Sequence, residues 1–208
     1  QSYAHIPYAE NSIWRTVVLV NAALGLNITK EMVDAKQPAL FYKQEVNITQ
    51  GLLATEKKNI AFVIGASWPS KTYPKENFIT LAKSLDANII LIWGSPSEKE
   101  DASTIALESP NTQLAPKLSL PQLVALIDNV DLVIGNDTGP THIAWAMNRP
   151  SITLFGPTPA HKMMWEDEQH IAIESDSIVD PLKLDRSDIS IKDISPQLIS
   201  EKAKALLA

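Results

Sequence analysis

Cysteine is absent from the 208 residues. This excludes disulfides, thiolate nucleophiles and Cys-based zinc sites, and it fits a reducing compartment without requiring one. A membrane-spanning run is missing as well. The longest apolar stretch, Val17–Leu26, is broken by Asn21 and Gly25 and is too short for a bilayer. No secretory leader is visible, and the chain opens at Gln1 rather than Met, so a fragment or a processed form is expected. Positive charge is scarce: 18 Lys and Arg stand against 24 Asp and Glu, a net charge of −6. That balance argues against nucleic acid as a partner and against a basic membrane patch. His5, His142, His161 and His170 are scattered and form no pair at metal-ligand spacing. A Walker loop, a G-x-G-x-x-G fingerprint and a nucleophile elbow around Ser67 or Ser70 are lacking too. Internal repeats and low-complexity segments are not found.

What is present is a hydrophobic content of 45%, enough for one packed α/β domain with an appendage. Residues 1–10 lack periodicity and read as a connecting segment. Asn11 or Ser12 can cap a helix with Ile13, Val17, Val20 and Leu24 on one side, ended by Gly25. Thr29 caps a shorter helix to about Lys36, and Pro38 stops it. From Phe41 to Asn59 a linker is expected, with a helical turn around Gly51–Thr55. The first 58 residues therefore form a helical connecting segment.

A βα rhythm then sets in, with strands predicted at Ile60–Ile64, Asn88–Trp93, Thr112–Leu114, Val130–Ile134, Ser151–Phe155 and His170–Ile173. Helices are predicted at Lys75–Leu85, Ser97–Leu107 and Leu120–Asn129, and from near Thr141. This alternation implies a Rossmann-like parallel sheet with helices on both faces over residues 59–180. Residues 181–208 follow as an extension: an irregular excursion, then an amphipathic helix capped by Ser195, with Pro196 in its first turn and Ile199, Ala203 and Leu206 in register. Five of the seven glycines (Gly65, Gly94, Gly135, Gly139, Gly156) are expected in loops just after strands, along the edge where doubly wound sheets bind ligands.

The chain is organised around Val130–Ile143, VDLVIGNDTGPTHI. A buried strand, a tight turn and a helix start leave backbone N–H groups facing open space, a setting that favours phosphate. Asp137 would repel a phosphate but could accept from sugar hydroxyls; a plain βα-loop cap competes with that role. Lys71, in the loop Gly65–Pro74, is either a phosphate ligand or a solvated loop lysine. Glu98 either binds ribose hydroxyls or complements a helix dipole. His142 sits in a first helical turn, where a phosphate contact and a packing role are both open. The stretch reads as a site for a phosphorylated sugar or a nucleotide.

The strand ending in D-T-G-P-T-H, followed by R-P-S-I-T-L-F-G-P-T-P, resembles glycosyltransferase family 9, the ADP-heptose:lipopolysaccharide heptosyltransferases. The wording VIGASWPSKTYPKENF, LIWGSPSEKED and APKLSL is similar to the heptosyltransferase I branch. The resemblance implies one half of a two-domain GT-B architecture, the donor half. It implies inverting transfer of L-glycero-D-manno-heptose from ADP-heptose to the Kdo region of lipid A, without cofactor or metal. Under it, Ser67 and Trp68 approach the pyrophosphate and Lys71 neutralises the leaving ADP. Glu98 binds ribose, Leu118 lines the adenine pocket and Asp137 holds heptose hydroxyls. Thr138 and Gly139 offer N–H groups to the phosphates, with His142 beside them. Lys71, Asp137 and His142 are then the catalytic set. The family's base is an aspartate of the N-terminal half, with no counterpart here, so this chain is expected to bind donor without turning over alone. The acceptor, Kdo-lipid A, would be met through that half, in peripheral contact with the cytoplasmic face of the inner membrane.

Two other readings stay open: a non-catalytic nucleotide-binding module, and a different nucleotide-sugar enzyme such as heptosyltransferase II or an epimerase. The terminal helix separates a module from a half. Packing of Ile199, Ala203 and Leu206 on their own domain keeps the module tenable, and exposure points to a missing half.

Overall fold

The computed structural model describes residues 5–43 and 51–208. Residues 1–4 of the expected connecting segment and 44–50 of the expected linker lie outside them. Six parallel strands form one sheet: β1 (Asn59–Val63), β2 (Asn88–Ile92), β3 (Thr112–Leu114), β4 (Leu132–Asn136), β5 (Ser151–Phe155) and β6 (His170–Glu174). Their spatial order is β3-β2-β1-β4-β5-β6. The order reverses between β1 and β4, so a crevice opens there at the carboxyl edge, where such sheets bind ligands.

Strands β1, β2, β4 and β5 are mainly apolar and buried because helices cover both faces. On one side, Ile60 and Phe62 of β1 meet Phe78 and Leu81 of α3 (Lys75–Lys83), Ile105 of α4 (Pro96–Glu108) and Ile199 of the terminal helix. On the other, Ala61 and Val63 meet Leu126 and Ile127 of α5 (Leu120–Asn129) and Ala144 of α6 (Gly139–Ala146). Successive residues of one strand thus feed two cores.

Near the amino terminus, α1 (Ser12–Leu24) is capped by Asn11, whose Oδ1 accepts from Ile13 and Trp14, and is closed by Gly25 at φ 65°. The conformation is left-handed, which glycine adopts without Cβ strain. α2 (Lys30–Asp34) is capped by Thr29. The expected turn at Gly51–Thr55 is not helical, although Leu52 and Leu53 pack beneath the sheet. α7 (Ala160–Met163) and 3-10 turns at Pro69–Lys71 and Ser190–Asp193 interrupt what read as loops. The terminal α8 (Pro196–Leu207) buries Ile199 and Ala203 fully and lays Leu206 against the same core. By the criterion set out above, this helix packs on its own domain. Among the described residues no helix is long and apolar enough to cross a membrane.

Gly135 departs from the expectation. It is not in a loop but inside β4, in register with Val63 of β1 and Thr153 of β5. A Cβ at Gly135 would stand 2.5 Å from both the Cβ and the carbonyl oxygen of Val63. The side chain is excluded by backbone that cannot retreat without parting two central strands. Gly135→Ala should therefore destabilise the chain by about 3 kcal/mol, the upper end for an overpacked core. Urea denaturation checks this, and a change below about 1 kcal/mol would show that the strands separate freely. Helix α6 also begins earlier than read, at Gly139 rather than near Thr141.

Candidate functional site

Two loops meet at the crevice: the segment after β1, with Lys71 closing its 3-10 turn, and Asp137–Thr138 between β4 and α6. Asn136, the last residue of β4, ties them together. Its Oδ1 accepts from the N–H of Tyr73 at 2.9 Å, and its Nδ2 donates to the carbonyl of Ile64 at 2.8 Å. Thr141 Oγ1 donates back to the Asn136 carbonyl at 2.8 Å. Asn136 is wholly buried, so each of these bonds counts against a full desolvation cost.

Asp137 follows, 2% exposed. Its Oδ2 receives Lys71 Nζ at 2.6 Å and the Thr158 hydroxyl at 2.9 Å, and its Oδ1 receives His142 Nε2 at 2.9 Å. An ionised carboxylate only accepts, so Nε2 carries the hydrogen in that contact. Burial pushes the Asp137 carboxyl upward, but the His142 hydrogen bond and the Lys71 charge outweigh it and hold the group below the usual carboxylate range. One buried carboxylate thus fixes two cation-capable side chains at the mouth of α6. In this arrangement both oxygens of Asp137 are engaged, and a sugar hydroxyl reaches it only if a partner gives way.

Beside this cluster lies a cavity of about 310 Å³ with a mostly apolar wall that includes Ile92, Trp93, Leu118 and Leu123. Trp93 is fixed there by its Nε1 donating to the Ala115 carbonyl at 2.8 Å. Ser67, Glu98 and Thr138 supply the polar rim. Glu98 Oε2 accepts from the N–H groups of Gly94 at 2.6 Å and Ser95 at 3.2 Å, so its capping role is realised, while Oε1 takes part in neither bond. Room for that carboxyl group comes from Gly65, where a Cβ would stand 2.3 Å from Glu98 Cδ. A larger cavity, about 600 Å³, lies on the other side of Glu98, between α3 and α4.

The structure therefore gathers Lys71, Asp137 and His142 in one cluster, and Ser67, Glu98, Leu118 and Thr138 around one cavity. Thr138 departs in detail: its N–H is turned to Thr141 Oγ1 at 3.3 Å rather than outward. Pro140 has no N–H, which leaves Gly139 as the remaining candidate amide of this turn, and a Cβ at Gly139 would meet nothing within 4 Å. Trp68 does not line the smaller cavity. Its ring lies 5.5 Å from Lys71 Nζ and 4.2 Å from the Arg186 guanidinium carbon. Sequence reasoning overlooked Asn136 and Thr158. A polar residue closing an apolar strand signals the first, and no local signal marks the second. Among the described residues, no group of three or more His, Cys, Asp or Glu could hold a metal ion.

The model of glycosyltransferase family 9 (heptosyltransferase) matches residues 2–178. Lipopolysaccharide heptosyltransferase 1 of Campylobacter coli is 37% identical over 227 residues, covering 99% of this chain and 66% of that protein. Lipopolysaccharide heptosyltransferase 2 of Escherichia coli K12 is 30% identical over 223 residues, covering 95% and 63%. The chain thus spans somewhat less than two thirds of the length of these relatives. The solved structure of E. coli heptosyltransferase WaaC with ADP shares the fold at a TM-score of 0.71 and 19% identity, covering 98% of this chain and 59% of that one. With the family model matched over most of its length, the chain belongs to glycosyltransferase family 9, the heptosyltransferases.

Proposed function

We propose that this chain carries the donor site of an inverting heptosyltransferase that moves L-glycero-D-manno-heptose from ADP-heptose to a Kdo residue of lipid A. The observation that carries this reading is the Lys71–Asp137–His142 cluster, set at the topological switch point beside an apolar-walled cavity. The cavity suits an adenine ring against Leu118 and Trp93, with ribose toward Glu98. The diphosphate then falls at the Gly139 amide and Lys71, where the helix start and an ammonium attract it.

In the reaction, an acceptor hydroxyl oxygen bonds to the anomeric carbon as the bond to the β-phosphate oxygen breaks. The bonding electrons leave with ADP. Lys71, His142 and the start of α6 meet the charge that gathers there, so a metal is not required for this step. The base that takes the acceptor proton is proposed to lie in the part of the relatives this chain does not span. The acceptor would be met there too, at the cytoplasmic face of the inner membrane. Asp137 in this scheme orients Lys71 and His142; a direct hold on heptose hydroxyls would require one of its present partners to move.

Calorimetric titration of the chain with ADP and then UDP, in EDTA, tests the reading. ADP should bind at least about tenfold more tightly, a difference of roughly 1.4 kcal/mol. Equal or preferred UDP binding would indicate a different nucleotide-sugar enzyme. Absence of ADP binding would remove the donor-site assignment for this chain.

A further inference from the structure

The donor-site reading leaves an electrostatic shortfall. Lys71 is the cation nearest the proposed phosphate position, but its ammonium is already paired with Asp137 at 2.6 Å in a site only 10% open at Lys71 and 2% at Asp137. A nucleoside diphosphate brings several negative charges to the place where this nearly neutral pair stands. Some other group has to meet them.

Arg186 stands next to that place although it comes from the carboxy-terminal extension, more than a hundred residues from Lys71. Its guanidinium lies over the Trp68 ring at 4.2 Å, and the same ring is 5.5 Å from Lys71 Nζ. The two charges are therefore no more than about 10 Å apart, comparable to one Debye length at an ionic strength of about 0.1 M. Among the described residues Arg186 forms no ion pair, and its acidic neighbours are engaged otherwise. Asp185 accepts from the backbone and hydroxyl of Ser187. Asp188 accepts from Ser177 and from the Ser190 N–H.

The extension is not free to swing away. Tyr73 donates to the Ile194 carbonyl at 2.7 Å, Asn77 donates to the Lys192 carbonyl at 3.0 Å, and Ile191 is buried in the core. Gly156, at the end of β5, admits Ile191 so closely that a Cβ there would stand 2.8 Å from Ile191 Cβ. Residues 191–194, which follow Arg186, are thus anchored to the β1 loop, to α3 and beside Gly156. Stacking on Trp68 holds the guanidinium face and leaves its N–H edges open for an anion.

We infer that Arg186, seated on Trp68, is a second diphosphate-binding cation of the donor site, and that Trp68 acts as its positioning residue. This rests on the donor-site reading above. It assigns the 181–194 excursion a role in ligand binding, and it gives Trp68 a part distinct from direct contact with the pyrophosphate.

The test is ADP titration of the unsubstituted chain, Arg186→Ala, Arg186→Lys and Lys71→Ala across a range of salt concentrations. Arg186 is exposed, so the two Arg186 variants should melt like the parent. Arg186→Ala should weaken ADP about tenfold, as loss of a charge-assisted bond does, and should flatten the salt dependence. Arg186→Lys should restore the salt dependence and most of the affinity. If Arg186→Ala binds ADP within about twofold of the parent while Lys71→Ala does not, the role of Arg186 is overturned and the donor-site reading stands. A loss in Arg186→Ala that Lys does not relieve, with the salt dependence unchanged, also overturns it, because charge is then not the cause. Failure of the parent chain to bind ADP removes both readings together.

Discussion

Asp137→Ala should cost the fold about 3 kcal/mol, the lower part of the range for breaking a buried ion pair by removing one partner. The substitution leaves the Lys71 ammonium in a site 10% open with no carboxylate, and strips Thr158 and His142 of their acceptor. The double variant Asp137→Ala, Lys71→Ala should lose much less than the sum of the two single changes, because the two groups share one interaction. The pH dependence has a defined sign. The Asp137 carboxyl titrates below its unfolded value, so its contribution is complete above the ordinary aspartate range, near pH 4, and fades as pH falls through the native value. Denaturation of the single variant should lack that acid-side loss. ADP and ADP-heptose should both bind more weakly and by similar factors if Asp137 works by aligning Lys71 and His142. A loss confined to ADP-heptose would instead identify a direct sugar contact. An unchanged stability would mean that Lys71 finds another partner.

Lys71→Ala carries the second large effect, and it belongs to an enzyme of the relatives' full length containing this chain. There kcat should fall by about 100-fold, the scale for removing one preorganised group aimed at charge that develops in the transition state. KM should change only a few-fold, because in the ground state the ammonium is already satisfied by Asp137 at 2.6 Å. In the proposed transfer, negative charge on ADP would grow as the bond to the leaving phosphate stretches and would compete for the ammonium, strengthening the contact selectively late in the reaction. A variant with kcat unchanged and KM raised would assign Lys71 to uniform binding instead. Steady-state kinetics with ADP-heptose as the varied substrate distinguish the two.

Much of this fold was legible because short apolar runs separated by capped helices admit few arrangements. Ser151–Phe155 and Leu120–Asn129 appear with the bounds their residues suggested, since Pro150 and Ser119 punctuate them sharply. Gly135 was misplaced because glycine signals a turn locally, whereas here it serves the close approach of β4 to β1, a tertiary fact. The site was legible in its local motif, where Asp137, Thr138, Gly139 and His142 are close in sequence. Lys71 could be listed as a candidate, but its pairing with Asp137 spans 66 residues and depends on β1 and β4 being neighbours. Thr158 and Arg186 gave no local sign, because a single hydroxyl or guanidinium on a loop acquires meaning only from what the sheet order sets beside it. For Glu98 the capping bonds of one alternative are formed, and one carboxylate oxygen remains outside them.

The Asn136 amide has a mechanical consequence. It bonds Tyr73 and Ile64, while the backbone carbonyl of the same residue accepts from Thr141; together these bonds clamp the loop after β1 to the start of α6, so the two sides of the crevice cannot be levered apart without breaking buried bonds. They should move together, as one jaw. Any closing motion around a ligand in this crevice would then be hinged outside both loops, as a swing of whole bodies rather than a flexing of the site. Such a jaw arrives with its shape already set, and the free energy of ligand contact is not spent on assembling it.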